Sequence, residues 1–507
     1  MTVGACLLII VSTVPIAMNL GANLVPRDDQ SEMQIGFITP EGYTLERTNQ
    51  VVTEIENRLA KLPGVLHRFV SIGQSGTAKG QGDVTRGSIY LRLVELEERK
   101  FTQFDLMRRV REILQDYPDL RTSVSDVSAL GGGPNGDSRI FQISLQGPGV
   151  EELATYADLL KGKLRQLPGL VDIDSTLSMR KPELQVNIDR ERAMDLGIAV
   201  QMIANTLSVL VGGQIVSSFK EGTEQYDVWL RADKQFRTDS ADLLTLSIPS
   251  PFVGQVQLSS LAKTEEKQGP SQIDRLNRQR TVTLMAHPDQ VSLNEAVQFA
   301  NKSVAEMNLP PEYQIVFGGQ ADMLNETAYY FMVALGLGIT FMYLILAAQF
   351  ESWIHPISIL AALPVTFPFG LLSLLLFRTS LDLYAMFGLF MLIGIVKKNG
   401  ILQVDKTNEL RRLGMPREAA ILEANNTRLR PILMTTVMLM AAMVPIALGQ
   451  GPGASARASM AKVIIGGQAL SLLISLLATP VAYSLLDDFR IFLARKWSQT
   501  FSQRTAL

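Results

Sequence analysis

Basic and hydroxyl side chains interrupt two strongly apolar stretches near the C-terminal end of the chain. In the first, a long apolar run ends at Lys397 and Lys398, which Asn399 follows. The second begins after Arg428 and contains Thr435. A basic side chain in the middle of a membrane helix costs about 2.5 kcal/mol or more, and such residues are therefore usually functional. These residue types are suited to a relay that moves protons or ions.

Two interpretations of the lysine pair stay open. Lysines near the end of a membrane helix can extend to the lipid headgroups, which requires no function. However, adjacent residues on a helix point about 100° apart, so both lysines cannot reach the same water equally well. Arg428 and Thr435 lie seven residues apart and share one helix face. A relay would also need a carboxylate, which neither stretch supplies at its centre.

The distribution of apolar residues predicts the elements that position these side chains. Of 507 residues, 47% are hydrophobic and 19% are charged, and the net charge of −2 indicates no nucleic-acid partner. Residues 25–325 resemble a water-soluble module, whereas residues 328–486 are almost continuously apolar. Windows of about 20 apolar residues predict six membrane-spanning helices. They cover residues 3–20, 329–348, 354–377, 383–404, 432–448 and 463–486.

Lysine and arginine in the short loops predict the orientation of these spans. The loop 405–430 contains six basic residues and the tail after residue 486 contains four, whereas loops 378–382 and 449–462 contain three between them. Both termini are therefore expected in the cytoplasm, with residues 25–325 on the opposite side. A signal peptide is the alternative for residues 3–20, although no basic residue precedes them and no clear cleavage site follows.

The soluble module contains a repeat. Leu-Pro-Gly ends a predicted helix at residues 62–64 and again at 167–169, and strand-like alternation follows each time. A second helix in each copy begins with a capping-box pattern, at Thr102 and at Ser292. The order β-α-β-β-α-β thus occurs twice, which predicts a membrane helical bundle joined to two ferredoxin-like α+β units. Residues 181–270 interrupt the second copy and are expected to form an inserted subdomain.

Motifs for soluble catalysis are missing from the sequence. It has no Gly-x-x-x-x-Gly-Lys phosphate loop, no defensible nucleophile set and no metal-ligand spacing among its three histidines and single cysteine. No cofactor and no metal are therefore expected. A glycine-rich segment is either a flexible hairpin or a mobile loop lining a substrate groove. Its glycines are Gly73, Gly76, Gly80 and Gly82.

Four stretches carry a resemblance to a known family: residues 23–30, 349–353, 394–401 and 428–435. With them, the chain resembles the C-terminal half of a resistance–nodulation–division (RND) efflux pump, of the hydrophobe/amphiphile multidrug branch, over nearly its whole length. The resemblance implies a proton-driven secondary transporter and not an enzyme. It also implies a multi-pass protein of the bacterial inner membrane with its large domain in the periplasm.

The family resemblance further implies partners and domains. An N-terminal half would complete the protomer, protomers would form homotrimers, and a periplasmic adaptor and an outer-membrane channel would join them. The expected domains are a first membrane helix at 1–24 (the family's seventh), porter subdomains at 25–132 and at 133–180 with 271–325, an inserted docking subdomain at 181–270, a five-helix bundle at 326–488 and a cytoplasmic tail at 489–507.

By the same resemblance, Lys398 matches the family's relay lysine, Asn399 accompanies it, and Arg428 and Thr435 match its partners on the neighbouring helix. Lys398 would pair with two ionised aspartates and release them when they are protonated. No Asp or Glu lies in the middle of any predicted span, so these carboxylates are expected from the N-terminal half. The leading alternative is a non-transporting fragment that assembles with complete pumps or regulates them.

The resemblance also bears on the substrate. The glycine-rich segment at 73–83 aligns with the loop that separates the family's substrate pockets, but it lacks the aromatic residue usual there. The methionine set of the metal-exporting branch is not evident in the soluble module, which disfavours copper or silver as the substrate.

Overall fold

The computed structural model describes residues 2–73, 83–127, 139–177, 181–236, 240–269, 273–449, 451 and 453–504. The chain divides into two compact units. One unit is Leu177–Ile273, and the other consists of Met1–Thr176 together with Asp274–Leu507.

The described helices and strands follow one another in this order. The first elements are α1 (Thr2–Met18), β1 (Glu32–Ile38), α2 (Leu45–Leu59), β2 (Val65–Ile72), β3 (Arg86–Leu93), α3 (Gln103–Leu114), β4 (Arg121–Asp126), β5 (Phe141–Gly147), α4 (Val150–Leu164) and β6 (Leu170–Ser175). Next come β7 (Lys181–Ile188), α5 (Arg190–Asp195), α6 (Val200–Leu207), β8 (Gln214–Glu221), β9 (Glu224–Leu230), α7 (Ser240–Leu244), β10 (Ser247–Ser250), β11 (Gly254–Gln257) and β12 (Ala262–Gly269). The last are β13 (Asp274–Leu276), β14 (Gln279–Pro288), α8 (Leu293–Ala305), β15 (Gln314–Gly319), α9 (Gln320–Phe350), α10 (His355–Leu360), α11 (Leu363–Leu376), α12 (Leu383–Arg412), α13 (Arg417–Leu448) and α14 (Ala454–Arg504).

The larger unit contains two antiparallel sheets of matching design. The first has the strand order β2-β3-β1-β4, and the second has the order β13-β14-β5-β15 with β6 also paired to β14. Alternation along β1 buries Met33, Ile35 and Phe37 on one face, where they pack against α2 and α3. Together with its sheet, each copy shows the element order β-α-β-β-α-β along the chain.

Side-chain caps start the second helix of each copy, as the sequence predicts. Thr102 Oγ1 accepts a hydrogen bond from Asp105 N at 3.2 Å, and Thr102 N donates to Asp105 Oδ2 at 3.0 Å, which completes the capping box of α3. Ser292 Oγ accepts from Glu295 N at 3.3 Å at the start of α8. Both predicted helix starts are confirmed.

Ion pairs from strand β6 join the two copies. Arg111 Nε lies 3.0 Å from Asp172 Oδ2, and an Arg121 guanidinium nitrogen lies 2.7 Å from Asp174 Oδ2. Burial of Asp174 disfavours its charged form, but Arg121, Arg139 and Lys161 outweigh this effect and hold the pKa of Asp174 below its usual value. The ionised carboxylate of Asp174 therefore helps to hold the junction.

The unit Leu177–Ile273 has its own core. Strand β12 pairs with β7, β10 pairs with β11, and β8 forms an antiparallel hairpin with β9. Its buried apolar side chains include Ala193, Ile198, Ile203, Ile248, Leu258 and Leu261.

Five helical segments within the described residues are long and apolar enough to cross a membrane. They are Gln320–Phe350, His355–Leu376, Leu383–Arg412, Arg417–Leu448 and Ala454–Phe492. Helix α1 is apolar but has 17 residues, which at 1.5 Å per residue falls short of a hydrocarbon core about 30 Å thick. Five of the six predicted spans therefore correspond to long apolar helices. The span at residues 3–20 stays a prediction.

Close packing at glycines holds α14 against α11 and α12. A Cβ at Gly466 would lie 2.0 Å from Ser373 Cβ, and one at Gly388 would lie 2.9 Å from the carbonyl oxygen of Met460. Since no real Cβ approaches that closely, glycine is required at both positions for these helices to touch. The helix that carries the lysine pair thus packs closely against α14 at Gly388.

His287, in β14, lies buried at the junction of the two copies, with 1% of its surface exposed. Within the described chain neither ring nitrogen has a hydrogen-bond partner, and the Asp126 carboxylate lies 3.8 Å from Nε2. Burial lowers the pKa of His287 from its usual 6.5; Asp126 and Asp172 oppose this, while Arg111 and Arg27 reinforce it. The folded protein therefore holds this histidine neutral.

Because the folded pKa of His287 is depressed, the unfolded chain binds a proton at a higher pH than the folded chain does. Above about pH 6.5 the histidine is neutral in both states and does not oppose folding. Below that pH the free energy of unfolding decreases, because the unfolded chain binds a proton that the folded chain does not. We expect the thermal unfolding midpoint of the purified chain to fall more for the native protein than for His287→Gln between about pH 7.5 and 5.5. Parallel curves for the two proteins would contradict this assignment.

Candidate functional site

The two adjacent lysines of helix α12 differ in burial. Its N-cap is Asp382, whose Oδ1 accepts a hydrogen bond from Ala385 N at 2.8 Å. Further along the helix, Lys397 and Asn399 are buried, each with 4% of its surface exposed, whereas Lys398 is exposed. The angular step of a helix thus places one ammonium group inside the bundle and the other on its outer face.

The buried lysine is satisfied by a backbone oxygen. Lys397 Nζ donates a hydrogen bond to the carbonyl oxygen of Ile359 at 2.6 Å, which joins α12 to α10. In the described part of the chain no carboxylate forms an ion pair with Lys397. This contact gives Lys397 a structural role that the sequence did not assign to it.

The predicted relay residues lie on two packed helices, α12 and α13. Their basic groups have few hydrogen-bond partners. Over the described ranges, the side chain of Lys398 makes no hydrogen bond or ion pair, and the shielded Nε of half-buried Arg428 has no hydrogen-bond partner. Thr435 Oγ1 donates to the carbonyl oxygen of Ile432 at 3.1 Å, within its own helix. The structure therefore leaves both basic groups without a counter-ion among the residues it describes.

The outer helices leave much of their apolar surface uncovered by this chain. In the best apolar window of α9, 6% of the residues are buried, and in that of α13, 11% are buried. The corresponding value for α12 is 56%. The bundle therefore has a well-packed side around α12 and wide apolar faces on α9 and α13.

A polar contact in the bundle holds α12, α13 and α14 together. Gln403 Nε2 donates to Asn425 Oδ1 at 3.0 Å and to the carbonyl oxygen of Leu476 at 3.4 Å. Sequence analysis missed this contact, although polar residues inside or next to apolar runs are a usable signal for such bonds.

A second polar cluster lies near the ends of these helices. Tyr483 Oη donates to Asn408 Oδ1 at 2.7 Å and accepts from an Arg411 guanidinium nitrogen at 2.9 Å. The His355 ring stacks on the Tyr483 ring with centroids 5.5 Å apart. Arg411 also lies 3.3 Å from Asp487, a buried carboxylate near the end of the apolar part of α14. The Asp487 carboxylate thus pairs with Arg411 close to the end of the bundle.

One glycine of the glycine-rich segment, Gly73, lies within the described residues. Gly73 ends β2 with a φ of +80°, and its N–H donates to the carbonyl oxygen of Arg86 at 2.9 Å. Glycine is favoured there because L side chains rarely adopt that backbone conformation. Gly76, Gly80 and Gly82 lie outside the described residues.

The segment after α1 makes contacts that sequence analysis did not assign. Asp28 accepts hydrogen bonds from Gly453 N at 2.6 Å and Ser455 N at 3.1 Å, which caps the start of α14. Arg27 pairs with Asp289 of the second copy at 2.9 Å. The Arg27 guanidinium also lies 4.2 Å from the ring centre of Phe104 in the first copy. This short segment therefore links α14 to both copies of the α/β repeat.

Comparison with known proteins identifies the family. Residues 1–487 match the model of the AcrB/AcrD/AcrF family. Two crystal forms of a heavy metal efflux pump have the same fold, each with a TM-score of 0.84, at 21% and 20% sequence identity. Each match covers 96% of this chain but 51% and 50% of the pump, so the chain spans about half the length of that protein. A match over nearly its whole length shows that the chain belongs to the AcrB/AcrD/AcrF family of RND efflux transporters.

Proposed function

We propose that this chain is the C-terminal half of a proton-driven pump that exports amphiphilic compounds and needs an N-terminal half with two buried aspartates. The observation that carries the proposal is the ammonium group of Lys398 on the outer face of α12, which has no hydrogen bond or ion pair among the described residues. Arg428, on the neighbouring α13, has a shielded Nε with no hydrogen-bond partner among the described residues.

The physical reason is the cost of an unpaired cation inside a membrane. Such a group is retained where it faces a carboxylate, a carbonyl or a water-filled cavity. Lys397 already has the carbonyl oxygen of Ile359, whereas Lys398 has no protein partner in the described chain. A second half that presents carboxylates to this face would supply the missing charge and cover apolar surface of α9 and α13.

Proton binding would then change the attraction between the halves. Ionised aspartates would hold Lys398, and protonated ones would release it. Gln403 bonds α12 to α13 and α14, so a shift of α12 would carry these helices with it. Asp28 caps α14, and the adjoining Arg27 pairs with Asp289, which offers a route from the relay to the soluble module.

The same proposal assigns the architecture. Helix α1 would be a sixth span within residues 1–24. The strand orders support two ferredoxin-like porter subdomains at 25–132 and at 133–180 with 271–325. Residues 181–270 would form the docking subdomain, residues 326–488 the five-helix bundle and residues 489–507 a cytoplasmic tail. The assembly would be a homotrimer in the inner membrane, with its large domain in the periplasm, working with an adaptor and an outer-membrane channel.

A heavy-metal ion is the second candidate substrate. It is favoured by the fold shared with a heavy metal efflux pump. Against it, Met33 and Met107 are fully buried in the core of the first copy and cannot act as ligands there. Among the described residues, no group of three or more His, Cys, Asp or Glu is placed to hold a metal ion. We therefore retain amphiphilic compounds as the proposed substrates.

Replacing Lys398 tests the relay. We expect Lys398→Ala to abolish efflux of ethidium from cells that co-express an N-terminal half, because the aspartate pair would lose its cation. The matched control is Lys406→Ala on the same helix, since Lys406 pairs with Glu409 at 2.9 Å and should be dispensable. Efflux is measured as loss of dye fluorescence, with both halves quantified in the membrane.

Three outcomes would count against the proposal. Full efflux by Lys398→Ala would contradict the relay assignment. Normal assembly of the native halves without any efflux would favour the non-transporting fragment. Resistance to copper or silver salts without ethidium efflux would favour the metal-ion candidate.

The two lysines should also differ in their effect on stability. Lys397→Ala leaves a space inside the bundle and removes the bond to Ile359, so we expect a loss of about 2 kcal/mol. Lys398→Ala should change the free energy of unfolding by less than about 0.5 kcal/mol. Denaturant titration of the purified chain in detergent measures both values. Equal losses would show that Lys398 makes contacts within this chain.

A further inference from the structure

A polar cavity of about 500 Å³ lies where the helix ends of the bundle meet the second α/β copy. Its walls come from the loop between α11 and α12, the loop between α13 and α14, the first turns of α14, and residues 289–292. Three basic side chains line it: Arg27, Arg378 and Lys462. The cavity is lined neither by the proposed relay residues nor by the described residues of the glycine-rich segment.

Two of these cations are available to a ligand. Arg27 is already paired with Asp289. Lys462 Nζ donates to Thr379 Oγ1 at 3.4 Å, and over the described residues neither Lys462 nor Arg378 forms an ion pair. Asp382 interacts electrostatically with Lys462, but it is completely buried and caps α12. The accessible lining therefore carries positive charge and hydroxyl groups.

The position of Arg378 is informative because glycine would be easier to accommodate there. Helix α11 ends in a Schellman motif, with Arg378 N donating to the carbonyl oxygen of Leu375 at 3.1 Å and Thr379 N to that of Leu374 at 2.9 Å. Arg378 has a φ of +51°, a left-handed conformation that glycine adopts without strain. The arginine thus occupies a position that helix termination alone would give to glycine, and it adds a cation to the cavity.

The edge of the cavity suits an acyl chain. Phe377 and Leu448 line it at the ends of two apolar spans, and 50% and 70% of their surfaces are exposed. Cations and hydroxyls therefore stand directly beside apolar side chains, as they do where a membrane meets water. An anion with no apolar part would use only the polar half of this lining.

We propose that this cavity binds the phosphate group of an anionic phospholipid. Arg378 and Lys462 contact the phosphate, Thr379 positions Lys462 by accepting a hydrogen bond from its Nζ, and the acyl chains run along Phe377 and Leu448. Free inorganic phosphate has the same charge chemistry but gains nothing from the apolar edge. The ligand would join the loop between α11 and α12 to the start of α14.

Native mass spectrometry of the purified full chain tests the site. Phosphatidylglycerol and phosphatidylcholine are titrated against the native chain, Arg378→Gln, Lys462→Gln and Arg457→Gln. We expect each of the first two variants to lower phosphatidylglycerol affinity about fivefold, as loss of one interfacial cation predicts, and to lower phosphatidylcholine affinity less, because that headgroup has no net charge. Arg457 is the matched control because it is an exposed basic residue at the start of α14 that does not line the cavity.

Each alternative gives a distinct result. An equal loss in Arg457→Gln would show general surface attraction and overturn the site. Displacement of phosphatidylglycerol by millimolar inorganic phosphate would assign the cavity to a free anion and overturn the lipid. If a variant fails to fold, the native chain still decides, because equal affinity for both lipids would overturn the proposal.

Discussion

An ammonium group in a membrane needs a partner, and the two adjacent lysines of α12 meet that need differently. Lys397 turns inward and donates to the carbonyl oxygen of Ile359. Lys398 turns outward, and within the described chain its charge is unmatched. The packing around α12 creates this difference, because contacts with α10 and α14 fix the rotation of the helix. Among the described residues, α12 is therefore well packed on one side and carries a cation without a counter-ion on the other, and our proposal of a second half would supply that counter-ion.

The same helices offer a mechanical connection to the soluble module. Gln403 bonds α12 to α13 and α14, so these three helices share one polar contact within the bundle. At the far end, Asp28 accepts hydrogen bonds from the start of α14, and Arg27 pairs with Asp289 in the second α/β copy. Gain or loss of a counter-ion at Lys398 would therefore act on helices that already contact the soluble module, which handles the substrate in our proposal.

Local signals predicted much of this fold from sequence. Leu-Pro-Gly marked two helix ends because Gly64 and Gly169 each adopt a positive φ, +82° and +89°, that a following strand needs. Apolar windows located five of the six predicted spans but not their ends, since α12 stays helical through polar residues to Arg412. The burial of Lys397 could not be predicted, because it depends on how α12 rotates against its neighbours. The Arg27–Asp289 pair joins residues 262 positions apart, and no local pattern announces it.

The central claim is that Lys398 faces carboxylates supplied by a second half. Cross-linking with a short bismaleimide, which bridges the space that the lysine side chain fills, tests this most directly, with Cys6→Ser and Lys398→Cys in this chain and cysteine in place of one buried aspartate in a co-expressed N-terminal half. The control position is Leu473→Cys on α14, whose side chain is also exposed. We expect a covalent product for position 398 and none for position 473. Equal cross-linking at both positions, or none at 398 with both halves present in the membrane, would contradict it.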